Sequence, residues 1–191
     1  MSFHEKASFK RGATDFSSQV AKLKAANCDF VVLGTIIRET IGTIGTARKL
    51  GYNPVFMGSS AAYTDLIHKL GGPAMNGLYA THTAANPYLD DASQKIRFWA
   101  SKYQTKFSED PTVFSAYGYT IVDTFAQAAG KAGANLTTDS FIKAMDSMTI
   151  PGDIFGSPPA TFTPKKHLGN SLSRMSQITD GKWKVVMDYP K

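Results

Sequence analysis

The sequence predicts an α/β protein. Its core is a three-layer, open, mostly parallel sheet with helices on both faces, joined to a helical block and a C-terminal β-hairpin. Three observations carry this. The run Phe30-Val31-Val32-Leu33-Gly34-Thr35 is apolar and β-branched and ends in small polar residues. A second run, Pro54-Val55-Phe56-Met57-Gly58-Ser59-Ser60, ends the same way. Amphipathic segments precede the first run and separate the two, which is the alternation of a parallel α/β sheet. Such sheets bind ligands beyond the carboxyl ends of their strands. Thr35, Ser59 and Ser60 are therefore the first candidate site residues.

Asp15 to Asn27 reads as a helix, with Phe16, Val20 and Leu23 forming one apolar stripe. Asp15 is placed to accept from unpaired backbone N–H groups at its start. Asn27 supplies a left-handed exit, and Cys28, at the helix–strand junction, reads as a small buried hydrophobe. Gly34 to Arg38 reads as a loop. The next helix, about Glu39 to Leu50, carries Ile41, Ile44, Ala47 and Leu50 on one face. Gly42 and Gly45 inside it each cost about 1 kcal/mol relative to Ala, which suggests close packing or close approach of a ligand. Ala61 to Leu70 reads as a short helix with Leu66, Ile67 and Leu70 inward, and Gly77 to Thr81 as a third strand.

At Asn86-Pro87-Tyr88 the pattern changes. Between Asp90 and Phe107, the residues Ala92, Ile96, Trp99, Tyr103 and Phe107 recur at helical spacing. A second helix, about Phe114 to Lys131, places Tyr117, Ile121, Phe125 and Ala129 along one face. Thr138 is read as the cap of a third, with Phe141, Ile142 and Met145. Ala160 to Pro164 is strand-like. Asp180-Gly181 between two strand-like runs, Ser173 to Ile178 and Trp183 to Met187, is a strong hairpin signal.

Composition bounds the function. The chain has 191 residues, 42% of them hydrophobic, enough for a real core. Its net charge of +6 is scattered, with no basic run interleaved with stacking aromatics, so nucleic acid is not the expected partner. Cys28 is the only cysteine, which removes a disulfide framework and a thiolate cluster. No run of 18 apolar residues and no signal peptide is present, so an export signal would lie outside these residues.

No catalytic set emerges. His4, His68, His82 and His167 match no metal spacing. No glycine-rich turn follows a strand to cradle a phosphate, so no cofactor is expected. Ser59-Ser60 lacks the nucleophile elbow of a hydrolase. Glu39 and Asp65 could do acid–base work, but nothing in the sequence brings them together. Asn135-Leu136-Thr137 matches a glycosylation sequon of the kind that arises by chance. Binding chemistry remains: hydroxyls at Thr35, Ser59 and Ser60, and aromatic walls at Tyr63, Phe114 and Tyr117. That mixture suits a small organic ligand with a polar head and an apolar body.

The order of motifs then resembles one family. Thr14-Asp15-Phe16-Ser17-Ser18-Gln19-Val20 precedes Asp29 to Thr35. Ala47-Arg48-Lys49-Leu50-Gly51-Tyr52 precedes Phe56-Met57-Gly58-Ser59-Ser60. Gly77-Leu78-Tyr79-Ala80 and Ser115-Ala116-Tyr117-Gly118-Tyr119 follow. Together these are similar to the solute-binding proteins of branched-chain amino acid ABC transporters, the type I periplasmic binding fold. The resemblance runs from about Gly12 to the C-terminus. It implies two α/β lobes that close on a ligand by a hinge.

By that resemblance, residues 12–88 and 159–191 belong to the second lobe, and residues 89–158 form a helical crossover segment. That segment would pack on a first lobe that these residues do not include. The resemblance implies a small carboxylate ligand, such as a branched-chain amino acid or an aromatic acid, held in the cleft between lobes. It implies a periplasmic location, a membrane permease partner and no enzymatic activity. Thr35, Ser59, Ser60 and Tyr63 match second-lobe positions at or after strand tips, and Phe114 and Tyr117 match the start of the crossover helix. A ligand-sensing domain of a receptor or regulator is the alternative function. Uncovered helical stripes would forfeit ~25 cal/mol per Å² of apolar surface, so self-association through these orphaned helices is expected.

Overall fold

Strands β1 (Phe30–Leu33), β2 (Val55–Gly58) and β3 (Tyr79–His82) run parallel to one another in the computed structural model, which describes residues 2–190. The sheet continues antiparallel through β6 (Arg174–Thr179) and β7 (Lys182–Met187), in the order β1-β2-β3-β6-β7. Two further strands, β4 (Thr149–Ile150) and β5 (Ala160–Thr161), pair with each other elsewhere. The β6–β7 turn places Asp180 at φ 53° and Gly181 at φ 71°, the left-handed pair that the Asp-Gly signal predicts.

The chain divides into two units. One holds the five-stranded sheet and comprises the residues through His82 with Arg174–Tyr189; the other comprises Thr83–Ser173.

In the sheet unit, β1 and β2 alternate. Val31, Leu33, Phe56 and Gly58 are buried, while Phe30, Val32 and Val55 on the opposite face are about half exposed. Helix α1 (Ser17–Ala25) begins two residues after Asp15. The Asp15 carboxylate accepts from the Ser17 backbone N–H at 2.9 Å and from the Ser17 hydroxyl at 2.6 Å. These bonds hold its carboxyl below the usual carboxylate range. Asn27 exits at φ 53°, as its position predicts. Cys28 is only partly buried, because it lies on the open turn between α1 and β1.

Helix α2 (Ile37–Lys49) starts two residues earlier than its sequence suggests. Gly42 permits close packing: a Cβ there would lie 2.7 Å from the Phe16 ring, itself in the core. Leu50, expected inward, is exposed because the helix has ended at Lys49. Helix α3 (Asp65–Gly71) also departs from expectation. Of Leu66, Ile67 and Leu70, only Ile67 is buried. The chain first makes a separate 3-10 turn at Ser60–Ala62, and α3 restarts from a buried Thr64 cap. That restart resets the helical phase and turns Asp65 and Ile67 inward.

In the helical unit, α4 (Gln94–Phe107) buries Ile96 and Ala100. Ala92 precedes the helix and is exposed, and Phe107 is exposed at its last residue. Helix α5 (Val113–Ala132) opens with a reciprocal cap between Thr112 and Ser115. The Asn86 side-chain carbonyl accepts from the Val113 N–H at 3.0 Å, fixing the same end. Its buried face is Val113, Ala116 and Ala128, not the stripe from Tyr117 to Ala129. Helix α6 (Thr138–Asp146) is capped by Thr137 rather than Thr138, again reciprocally, with Ser140. A small core gathers Ala84, Ala116 and Phe155, with Trp99 and Tyr117 packed against it.

Candidate functional site

Parallel strands put their carboxyl ends together. Leu33 pairs with Gly58, so Thr35 and Ser60 each lie two residues beyond the last paired position. The sheet thus brings Thr35, Ser59 and Ser60 to one end.

Their settings differ. Thr35 is buried, and its hydroxyl lies 2.7 Å from the Thr40 hydroxyl in the first turn of α2. Ser59 and Ser60 are exposed. The Ser59 hydroxyl accepts weakly from the Ala61 N–H at 3.3 Å, and the Ser60 carbonyl accepts from the Tyr63 N–H at 3.1 Å. Both serines keep hydrogen-bonding capacity toward solvent.

Tyr63 is a core residue as placed, 2% exposed. Its ring stacks on His82 at 4.0 Å and meets Trp183 at 5.0 Å. His82 Nε2 lies 2.8 Å from the Ser176 hydroxyl, and the Trp183 indole N–H donates to the Thr64 carbonyl at 2.9 Å. Tyr63 therefore stands behind the strand tips rather than as an open wall. These contacts tie β3 to β6 and β7 across long stretches of sequence, so periodicity gives no sign of them. The one local hint is an unusually polar strand end at His82.

In the helical unit, Phe114 projects from the first turn of α5 and is 55% exposed. Tyr117 is half-buried, 6.2 Å from Phe114 in an edge-to-face arrangement. Burial raises the Tyr117 phenol above its ordinary value, so it stays a neutral donor at physiological pH. Tyr117 and Thr120 also line a cavity of about 260 Å³. Asp153 in that cavity is already engaged: it accepts from the Phe155 and Ser157 N–H groups and from the Thr120 hydroxyl. The six candidate residues thus divide between the two units, four in one and two in the other.

Glu39 and Asp65 are equally buried, each 2% exposed, and differ in their hydrogen bonding. Asp65 is paired with Lys69 at 2.8 Å, whereas Glu39 Oε2 is buried without a hydrogen-bond partner. Among the described residues, no group of three or more His, Cys, Asp or Glu side chains could hold a metal ion. No described helix is long and apolar enough to cross a membrane.

Solved structures share this architecture. A branched-chain amino acid ABC transporter protein from Thermus thermophilus with bound valine superposes with a TM-score of 0.79 at 16% identity, covering 93% of this chain and 50% of that one. A fatty acid ABC transporter substrate-binding protein from Thermomonospora curvata gives 0.79 at 23% identity, covering 95% and 48%. A solute-binding protein from R. palustris in complex with benzoate gives 0.72 at 15% identity, covering 94% and 48%. The fold is the α/β arrangement of these proteins, with a mostly parallel sheet and flanking helices. The family model described as periplasmic binding protein matches residues 4–182, and the chain belongs to that family.

Curated relatives agree. A Leu/Ile/Val-binding protein homolog from Brucella suis is 28% identical over 127 residues, 65% of this chain and 32% of the relative. A leucine-specific-binding protein from Salmonella typhimurium is 27% identical over 145 residues, 75% and 38%. The chain spans about a third of the length of these curated relatives.

Proposed function

We propose that this chain is a substrate-binding component of an ABC-type uptake system, or a part of one, and is not an enzyme. Its ligand is a small carboxylate, such as a branched-chain amino acid or an aromatic acid, engaged in the cleft that a complete family member closes around it. The family match across residues 4–182 carries this reading. The named ligands of the relatives and neighbours support the chemistry: leucine, valine, fatty acid and benzoate are all carboxylic acids. In this reading the hydroxyl and N–H groups at Thr35, Ser59 and Ser60 hold the polar head. Tyr63, buried behind the strand tips, supports these groups from the core. The protein works in the periplasm and delivers its ligand to a membrane permease.

A thermal-shift screen of the purified chain against aliphatic amino acids and aromatic acids tests this. A true ligand at 100 times its Kd stabilises the fold by about 2.7 kcal/mol. Substituting Ser60→Ala should weaken that ligand several-fold. Silence across the whole panel would sink the claim that this chain binds a small carboxylate.

We also infer the lobe assignment of residues 12–88 and 159–191 to one lobe and 89–158 to a crossover segment. Helix α5 supports an unmet packing surface, because Phe114, Ile121, Val122 and Phe125 are each more than half exposed. A second copy of the chain covers them in this reading. Light scattering after size exclusion across a dilution series should show a dimer or larger species, shifted to monomer by Ile121→Asp with Phe125→Asp. A well-folded monomer at every concentration would overturn it.

A further inference from the structure

Strand β1 ends the five-stranded sheet, with β2 on one side only. The Val55 N–H donates to the Asp29 carbonyl at 2.8 Å, and Phe30 stands opposite Val55 in the parallel register. In a parallel pair the bonds alternate along each strand, so Val31 and Leu33 direct their N–H groups to β2. The N–H and C=O groups of Phe30 and Val32 point the other way, outward from the sheet edge. Such a row is a template for another strand.

A cavity of about 730 Å³ lies along that edge. Strand β1 forms one wall, and residues 3–7 with Phe9 form another. The segment 3–9 belongs to no helix or strand, and α1 holds it in place. The Lys6 and Ser8 carbonyls accept from the Lys22 and Gln19 side chains at 2.8 and 3.0 Å, and Phe9 meets Phe16 edge-to-face at 5.9 Å. Phe16 and Leu23 line the cavity on the helix side of the sheet, with Val31 and Leu33. Phe30 and Val32 line it on the other side, 48% and 52% exposed. The cavity thus reaches both faces of the sheet, and both are apolar beside β1. That is the setting of an interior strand of a parallel sheet, which is a continuous apolar run. Another backbone is the group that offers N–H and C=O at the spacing of Phe30 and Val32.

The solved structures that share the fold extend beyond the matched part: this chain covers 50% of one and 48% of another. A family-length chain therefore has further segments from which a strand can come. We propose that the space between residues 3–9 and β1 is an acceptor slot for one more β-strand. Its occupant is an apolar, β-branched segment of a family-length chain, from outside these residues, bonded to Phe30 and Val32. It runs parallel to β1, the direction that continues the β1-β2-β3 order. The slot lies within the sheet unit, does not use Ser59 or Ser60, and does not rest on the carboxylate-binding reading.

Amide hydrogen exchange by NMR on the 191-residue chain tests it. The probe is the peptide acetyl-Lys-Val-Ile-Val-Ile-Val-Lys-amide. Its control is N-methylated at the five central amides and keeps every side chain. With the probe in excess, exchange at Phe30 and Val32 should slow at least about tenfold, while Val31 and Leu33, already bonded to β2, stay unchanged. The methylated control should protect neither. A spin label at the probe's N-terminus should broaden Phe30 more than Leu33; the reverse would overturn the parallel seating. Val32→Pro removes an outward donor and spares the bonds to β2, so it should weaken the probe at least about tenfold. If circular dichroism shows that Val32→Pro does not fold, the two peptides on the unaltered chain decide. No slowing at Phe30 and Val32 up to about 1 mM probe, equal protection by the control, or unchanged binding to folded Val32→Pro would each overturn the proposal. So would protection of these two amides without probe that grows with protein concentration, which would give the slot to a second copy. None of these results depends on the carboxylate panel, so the two readings fail separately.

Discussion

In the sheet unit, Phe16, Phe56 and Ile44 are sealed in the core; on α5 of the helical unit, Phe114, Ile121, Val122 and Phe125 stand more than half exposed. The sequence composition of the two regions does not explain this, because both are rich in large apolar residues. The difference lies in what each has to pack against. Helices α1 to α3 follow a sheet whose alternating residues offer an apolar face. Helix α5 has only a small core around Phe155, served by Ala116 and Ala128, and its larger residues point elsewhere. Two segments of similar hydrophobicity thus differ in how much of it contributes to stability.

The sharpest test pairs Phe56→Ala with Ile121→Ala in urea unfolding. Removing Phe56 should cost about 3–5 kcal/mol, the usual range for a buried Phe. Removing Ile121 should cost no more than about 0.5 kcal/mol in the monomer. Similar losses at both sites would break the comparison, because they would mean that α5 is packed as tightly as the sheet.

Two glycines sharpen it within one helix. A methyl at Gly42 would lie 2.7 Å from the Phe16 ring, while one at Gly45 would meet nothing within 4 Å. Gly42→Ala should therefore cost about 1–3 kcal/mol from overpacking, despite the better helix propensity of Ala. Gly45→Ala should instead gain about 0.5–1 kcal/mol. Thermal unfolding of the two variants checks the opposite signs.

The smallest effect is on pH dependence. Burial, the largest influence on His68, lowers its pKa, against a smaller opposing effect of Asp65. The unfolded chain then binds the proton more readily than the folded chain. The His68 contribution is present above the unfolded value of about 6.5 and is lost as pH falls toward the folded one. Replacing His68 with Gln should flatten the fall in stability just below that pH. An unchanged profile would show that His68 is solvated like a surface residue.

The strands of the five-stranded sheet and its hairpin were legible in the sequence because their signals are local; the short strand β4 was not. Asp180-Gly181, Asn27 and the two apolar runs need no distant partner to declare themselves. The phases of α3 and α5 were not legible. The 3-10 turn at Ser60–Ala62 breaks what reads as one helix, and α5 is apolar on two faces, so periodicity alone does not choose between them. Of the candidate site, the placing of Thr35, Ser59 and Ser60 at one end of the sheet follows from strand order. The sealing of Tyr63 between His82 and Trp183 does not, because the contacts join residues far apart in the chain. Glu39 could be noted as a carboxylate, but its burial without a partner is visible only in three dimensions.

The antiparallel pairing of β3 with β6 joins Ala80 to Ser176 and His82 to Arg174, with the whole of Thr83–Ser173 between them. In a chain made from its N-terminus, the parallel strands must wait for the helical segment to be synthesised before their sheet gains its neighbour. Closing so long a loop costs conformational entropy, which the β6–β7 hairpin offsets only once it is made. The sheet unit begins first and finishes last. A chain stopped before Arg174 should leave the amides of Ala80 and His82 open to hydrogen exchange; the full chain should protect them.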